Sequence, residues 1–98
     1  MSTEKAKLYI LDKIFNRGSF CKNHVPETDL KKNIVPFKCD KKIFQKAVKE
    51  LLNEGYIKQV RKPAEMEYCI IPDRKMEIMG MLLKELGKDS KLPEARMF

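Results

Sequence analysis

Residues 40–71 read DKKIFQKAVKELLNEGYIKQVRKPAEMEYCII, and the run divides into a helical half and an extended half. Asp40 is a good helix N-cap, and Gly55 stands where a left-handed residue ends a helix, so the pattern predicts a helix over about 41–54. At 100° per residue, Ile43, Phe44, Ala47, Val48, Leu51 and Leu52 fall on one side. Lys42, Gln45, Lys46, Lys49 and Asn53 fall on the other, with Glu50 on the flank of that stripe and Glu54 further round. Beyond Gly55 the period changes. Tyr56 to Arg61 and Glu67 to Ile71 are β-branched and aromatic with charges interleaved, and Lys62-Pro63-Ala64-Glu65 is a connecting turn, so a two-stranded hairpin is expected.

Upstream, Leu8, Leu11, Ile14 and Phe15 recur at helical spacing between Thr3 and Asn16, and Gly18 follows as a C-terminal cap. Residues 19–25 have no helical period and hold at most a short edge strand ending at Val25. Pro26 suits the first turn of a short helix over about 26–33 that buries Leu30, with Glu27 and Asp29 at its positive end and Lys31 and Lys32 at its negative end. Downstream, Pro72 ends the second strand, and Asp73 can cap a helix over about 74–86 that stops at Gly87. The apolar face of that helix is wide, carrying Met76, Ile78, Met79, Leu82, Leu83 and Leu86, and it is expected to close the core or to meet a second copy.

The expected fold is therefore mainly α with a small β-hairpin (α+β): a winged helix-turn-helix with an added C-terminal helix. Residues 1–87 are expected to form this one domain, with 88–98 as a flexible tail.

The chain carries a net charge of +7, concentrated in its middle: net +2 over residues 1–17, +6 over 18–62 and −1 over 63–98. An excess placed in this way draws a polyanion toward one part of the molecule. In a winged helix the third helix enters the major groove and the hairpin reaches the phosphate backbone. The candidate nucleic-acid-binding residues are therefore Lys42, Gln45, Lys46, Lys49 and Asn53 on the helix, with Lys58, Arg61 and Lys62 on the hairpin. Lysines would neutralise phosphates, and the amides of Gln45 and Asn53 match adenine's donor–acceptor pair.

Other chemistry finds little support. With one histidine, no nucleophile motif and no glycine-rich phosphate loop, an enzyme is not expected, nor is a cofactor or small-molecule ligand. Cys21 and His24 have a Cys-x₂-His spacing and Cys39 lies further on, but zinc sites usually show two close ligand pairs, so these three are weak metal candidates. Three cysteines show no disulfide framework, and no apolar run has the length of a signal peptide core or a membrane span, which points to a reducing, cytoplasmic setting.

The run His24-Val-Pro-Glu-Thr-Asp-Leu-Lys-Lys32 with Pro36, followed by Val48-Lys-Glu-Leu-Leu-Asn-Glu-Gly55-Tyr-Ile57, resembles a group of small, functionally uncharacterised archaeal winged-helix proteins over about residues 20–74. The resemblance implies a DNA-binding protein. The chain departs from that group at the hairpin tip, where Ala64-Glu65-Met66 replaces a Tyr-Gly pair, and in a long link from Asn33 to Asp40. The sequence thus implies a DNA-binding transcriptional regulator, with double-stranded DNA as partner and a possible homodimer through the 74–86 helix. A winged-helix module that binds protein within a larger complex, or a protein that binds RNA, are the alternatives.

Overall fold

The computed structural model describes residues 1–32, 34, 35 and 39–93. Helix α1 (Thr3–Asn16) leads through a turn to a short strand β1 (Val25–Pro26) and helix α2 (Glu27–Lys31). Helix α3 (Lys41–Asn53) is followed by strands β2 (Ile57–Arg61) and β3 (Met66–Ile70), a 3₁₀ turn at Pro72–Arg74, and helix α4 (Lys75–Glu85).

The helices begin and end for local reasons. Ser2 caps α1 through its hydroxyl, and the Asp40 carboxylate accepts from the amide of Ile43 at 2.8 Å to cap α3. A cap of this kind contributes about 1 kcal/mol. Gly55 terminates α3 at φ 77°, a conformation that strains any residue with a Cβ, and Arg74 closes over it. The Arg74 guanidinium lies 4.2 Å from the Tyr56 ring centroid, donates twice to the Glu77 carboxylate and once to the Glu54 carbonyl, and so clasps the end of α3 to the start of α4. That clasp replaces the cap expected of Asp73, since α4 begins without a side-chain cap.

The hairpin is part of a three-stranded antiparallel sheet in the order β1-β3-β2. Val25 pairs with Tyr68, and Gln59 pairs with Tyr68 from the other side. Paired residues point to one face. Val25, Ile57, Tyr68 and Ile70 therefore form the inner face, and all four are buried. They meet Ala6, Ile10, Leu11 and Ile14 of α1, Leu30 of α2, Phe44, Ala47, Val48 and Leu51 of α3, and Ile78 and Leu82 of α4 in one core. Ile43 and Leu52, at the edges of the apolar side of α3, are half-buried.

Three findings depart from the sequence reading. First, Cys21 is disulfide-bonded to Cys69 across 48 residues, tying the turn before β1 to the middle strand of the sheet. Cysteine usage consequently gives no argument for a reducing compartment. Second, Cys21 is not available as a zinc ligand, and no group of metal-ligating side chains occurs among the described residues. Cys39 is buried and unpaired, and burial and the nearby Asp40 push its thiol up, while His24 lies 3.8 Å from the Glu67 carboxylate. Third, residues 88–93 of the expected tail lie on α1. The buried Asp12 carboxylate accepts from the Ser90 hydroxyl at 2.6 Å and the Lys91 amide at 3.0 Å, and Leu92 is buried beside them. A buried carboxylate needs such donors, because leaving one partner unsatisfied costs about 1–3 kcal/mol. The remaining tail, 94–98, and Asn33, Pro36, Phe37 and Lys38 of the α2–α3 link lie outside the described residues.

No helix among the described residues is long and apolar enough to cross a membrane.

Candidate nucleic-acid interface

Lys42, Gln45, Lys46, Lys49 and Asn53 all stand exposed on α3, opposite the buried Phe44, Ala47, Val48 and Leu51. Among the described residues no carboxylate comes within ion-pair distance of Lys42, Lys46 or Lys49. The reason is visible in the packing. The two acidic residues of α3, Glu50 and Glu54, turn to Lys7 on α1, whose ammonium lies 3.4 Å and 2.7 Å from them and 3.3 Å from Glu4. Burial lowers the affinity of that lysine for its proton, but hydrogen bonds from Glu54 and Glu4 outweigh it and hold the Lys7 pKa above its ordinary value. Lys7 therefore neutralises the acids of α3 from behind and leaves its outer face purely cationic.

The hairpin residues divide by strand alternation. Arg61 stands opposite Met66 and shares the inner face with Gln59 and Tyr68, whereas Lys58 stands opposite Cys69 on the outer face. Lys58, Arg61 and Lys62 are all exposed. The inner face continues to α3 through a cleft lined by Gln45 and Lys49, by Phe44, Val48 and Leu52, and by Tyr68 and Glu27. The structure thus brings Gln45, Lys49 and Arg61 to one side of the molecule and sets Lys58 on the other side of the sheet.

Two residues in this region were not singled out from the sequence. Gln59 is exposed on the inner face and donates to the Tyr68 hydroxyl at 3.4 Å. Strand alternation from the buried Ile57 would have found it. Glu27 accepts from the Tyr68 hydroxyl at 3.3 Å and lies 3.9 Å from Lys31. Burial first, then the Glu27 charge, pushes the Tyr68 pKa up to about 12, so the phenol keeps its proton and remains a donor. Glu27 is the one acidic side chain lining the cleft, and Lys31 offsets it.

The orientation of the hairpin is held at three points. Cys69 is covalently tied to Cys21, Glu67 faces His24, and the Glu65 carboxylate at the tip accepts from the Thr28 amide at 3.2 Å and its hydroxyl at 2.7 Å. The Ala64-Glu65-Met66 tip thus docks on the first turn of α2, where a carboxylate is favoured.

No protein-family model matches the chain, and no curated protein sequence does. Solved structures do. The crystal structure of SSV1 F-93 superposes with a TM-score of 0.62 at 19% identity, over 81% of this chain and 83% of that one. A transcriptional regulator of the MarR family from Silicibacter pomeroyi superposes with a TM-score of 0.54 at 17% identity, over 99% of this chain and 64% of that longer one. At these identities the likeness is one of architecture, and with the element order and sheet described above it establishes a winged-helix (α+β) fold.

Proposed function

We propose that the protein is a DNA-binding transcriptional regulator that sets α3 into the major groove. The observation that carries this reading is the acid-free, exposed face of Lys42, Gln45, Lys46, Lys49 and Asn53, whose flanking carboxylates are taken up by Lys7. Phosphate neutralisation by such a face supplies affinity, and Gln45 and Asn53 offer base-edge hydrogen bonds. Arg61 and Lys62 follow the backbone beside α3, and Lys58 reaches phosphate from the outer side of the hairpin. The two superposed folds support the reading, one of them described as a transcriptional regulator.

Titrating a generic duplex into ¹⁵N-labelled protein tests the placement. Amide shifts are expected to cluster over 41–53 and at the hairpin tip. Shifts confined to α4, or absent, would remove the assignment. Stronger shifts with double-stranded RNA than with DNA of equal length would favour the RNA alternative. A protein-binding module inside a complex would show neither.

The regulator is proposed to act as a homodimer through α4. Met76 is 70% exposed, and Met79 and Leu83 are half-buried on the same side of that helix, beside the exposed Gly80. A two-fold contact there would double the cationic surface and fix the spacing of two half-sites. Sedimentation equilibrium should give twice the chain mass at micromolar concentration and the single chain mass for Met76→Glu/Leu83→Glu. A single chain mass for the parent at every concentration would refute the dimer.

A further inference from the structure

A second cleft lies away from the α3 face, between the C-terminal half of α1 and the start of the α2–α3 link. Its volume is about 250 Å³, just under the usual range for small-molecule sites. The wall is mostly carbon, supplied by the Tyr9 ring, the buried Ile34 and the stems of lysines. Four cations surround it: Lys13 and Arg17 from α1, Lys32 from the end of α2, and Lys91 from the C-terminal segment. These come from three separate stretches of chain, and the Asp12 anchor that holds Ser90 and the Lys91 amide is what brings the last of them into place.

The charges in the cleft are unequal. Asp12 lines it, but both of its carboxylate oxygens already accept hydrogen bonds. Arg17 is paired with Asp29 at 3.1 Å. The Lys13 ammonium donates to the Lys32 carbonyl, a neutral partner, and Lys32 and Lys91 have no carboxylate within ion-pair distance among the described residues. Burial depresses the Lys13 pKa; Asp29 opposes this, and Arg17 and Lys32 add to it. An anion seated between these groups would relieve that repulsion.

We infer that this cleft binds a small amphipathic anion, a one- or two-ring carboxylate or phosphate whose ring lies on Tyr9 and Ile34 and whose charge meets Lys13, Lys32 and Lys91. The inference stands apart from the nucleic-acid reading, because none of the lining residues belongs to α3 or the hairpin. A nucleic-acid phosphate is the less favoured occupant. Phosphodiesters need exposed cations, but they have no use for a concave carbon wall.

The test is an NMR titration with 2-naphthoate and, in parallel, its uncharged analogue 2-naphthamide. Saturable shifts are expected at residues 9–17, 32–34 and 90–92, with naphthamide at least tenfold weaker. Lys32→Glu/Lys91→Glu should weaken naphthoate at least tenfold while leaving the spectrum of α3 and the sheet unchanged. Should that variant misfold, Asn16→Trp keeps every charge and fills the cleft from its exposed rim, and it should also abolish binding. Equal affinity for the amide would overturn the anion requirement. Shifts centred on α4, or none up to millimolar ligand, would overturn the site. If the charge-reversed variant instead lost affinity for duplex DNA while the parent ignored naphthoate, the cluster would be a phosphate contact and the inference would fail.

Discussion

Reduced protein is expected to melt about 15–30 °C below the oxidised form, because the Cys21–Cys69 bond closes a loop spanning 48 residues. Chain-entropy arguments put the contribution of a loop of that length at about 4 kcal/mol, a large share of the stability of a domain this small. The elements joined by the bond have little else to hold them. Strand β1 is two residues long, and one of the two is Pro26, which has no amide to donate. Cys21 itself sits at φ 68°, a left-handed conformation that a residue with a Cβ adopts only when its surroundings hold it there. Thermal melts with and without dithiothreitol, and of Cys21→Ala, check this. Cys39→Ala should keep the full sensitivity to reductant, since Cys39 is buried and takes no part in the bond. Thiol titration of denatured, unreduced protein should find one free cysteine. Three free cysteines, or a melting temperature indifferent to reductant, would contradict the account.

Phe44→Ala is expected to cost about 3–5 kcal/mol, the usual range for truncating a fully buried aromatic. Phe44 is fully buried in the middle of the apolar side of α3, one turn from Ala47 and Val48, and it is packed between that helix and the rest of the core. Its ring also lies under the Lys31 ammonium at 5.8 Å, so it links α3 to α2. The loss should appear in urea denaturation as a lower midpoint with an unchanged slope. Nucleic-acid affinity measured well below the transition should fall little, since Phe44 faces away from the lysine stripe. A loss under 1 kcal/mol would mean that α3 does not bury this face as described.

What could be read from the sequence follows from the range of each interaction. The cap at Asp40, the stop at Gly55 and the two sides of α3 are set by residues within a few positions of one another, and all three are present. The sidedness of the hairpin was equally local: alternation from Ile57 places Gln59 and Arg61 together and Lys58 apart, yet charge alone had grouped Lys58 with Arg61. The disulfide was not legible, because pairing needs two sulfurs brought together over 48 residues and a pattern of three cysteines does not say which meet. The C-terminal anchor was hidden for the same reason. Ser90 looks like a tail residue until Asp12, 78 positions earlier, is seen buried beneath it. Lys7 is a related case. A lysine amid the apolar positions of α1 was the only hint that the carboxylates of α3 had a partner elsewhere.

That last contact matters for function as well as for packing. Glu50 and Glu54 would otherwise be the nearest negative charges to the lysine stripe, and their engagement by Lys7 is what makes the outer face of α3 suited to a polyanion.

The most direct test of the central claim is the salt dependence of duplex-DNA affinity for the parent and for Lys42→Ala/Lys46→Ala/Lys49→Ala. A charge-matched control, Lys22→Ala/Lys84→Ala/Lys88→Ala, removes three exposed lysines from outside the face. Each phosphate neutralised adds about 0.9 to the slope of log affinity against log salt. The α3 variant should therefore show a slope shallower by about 2–3, while the control keeps the parent slope. An unchanged slope in the α3 variant, or equal losses in both variants, would show that net charge and not this helix face binds the nucleic acid.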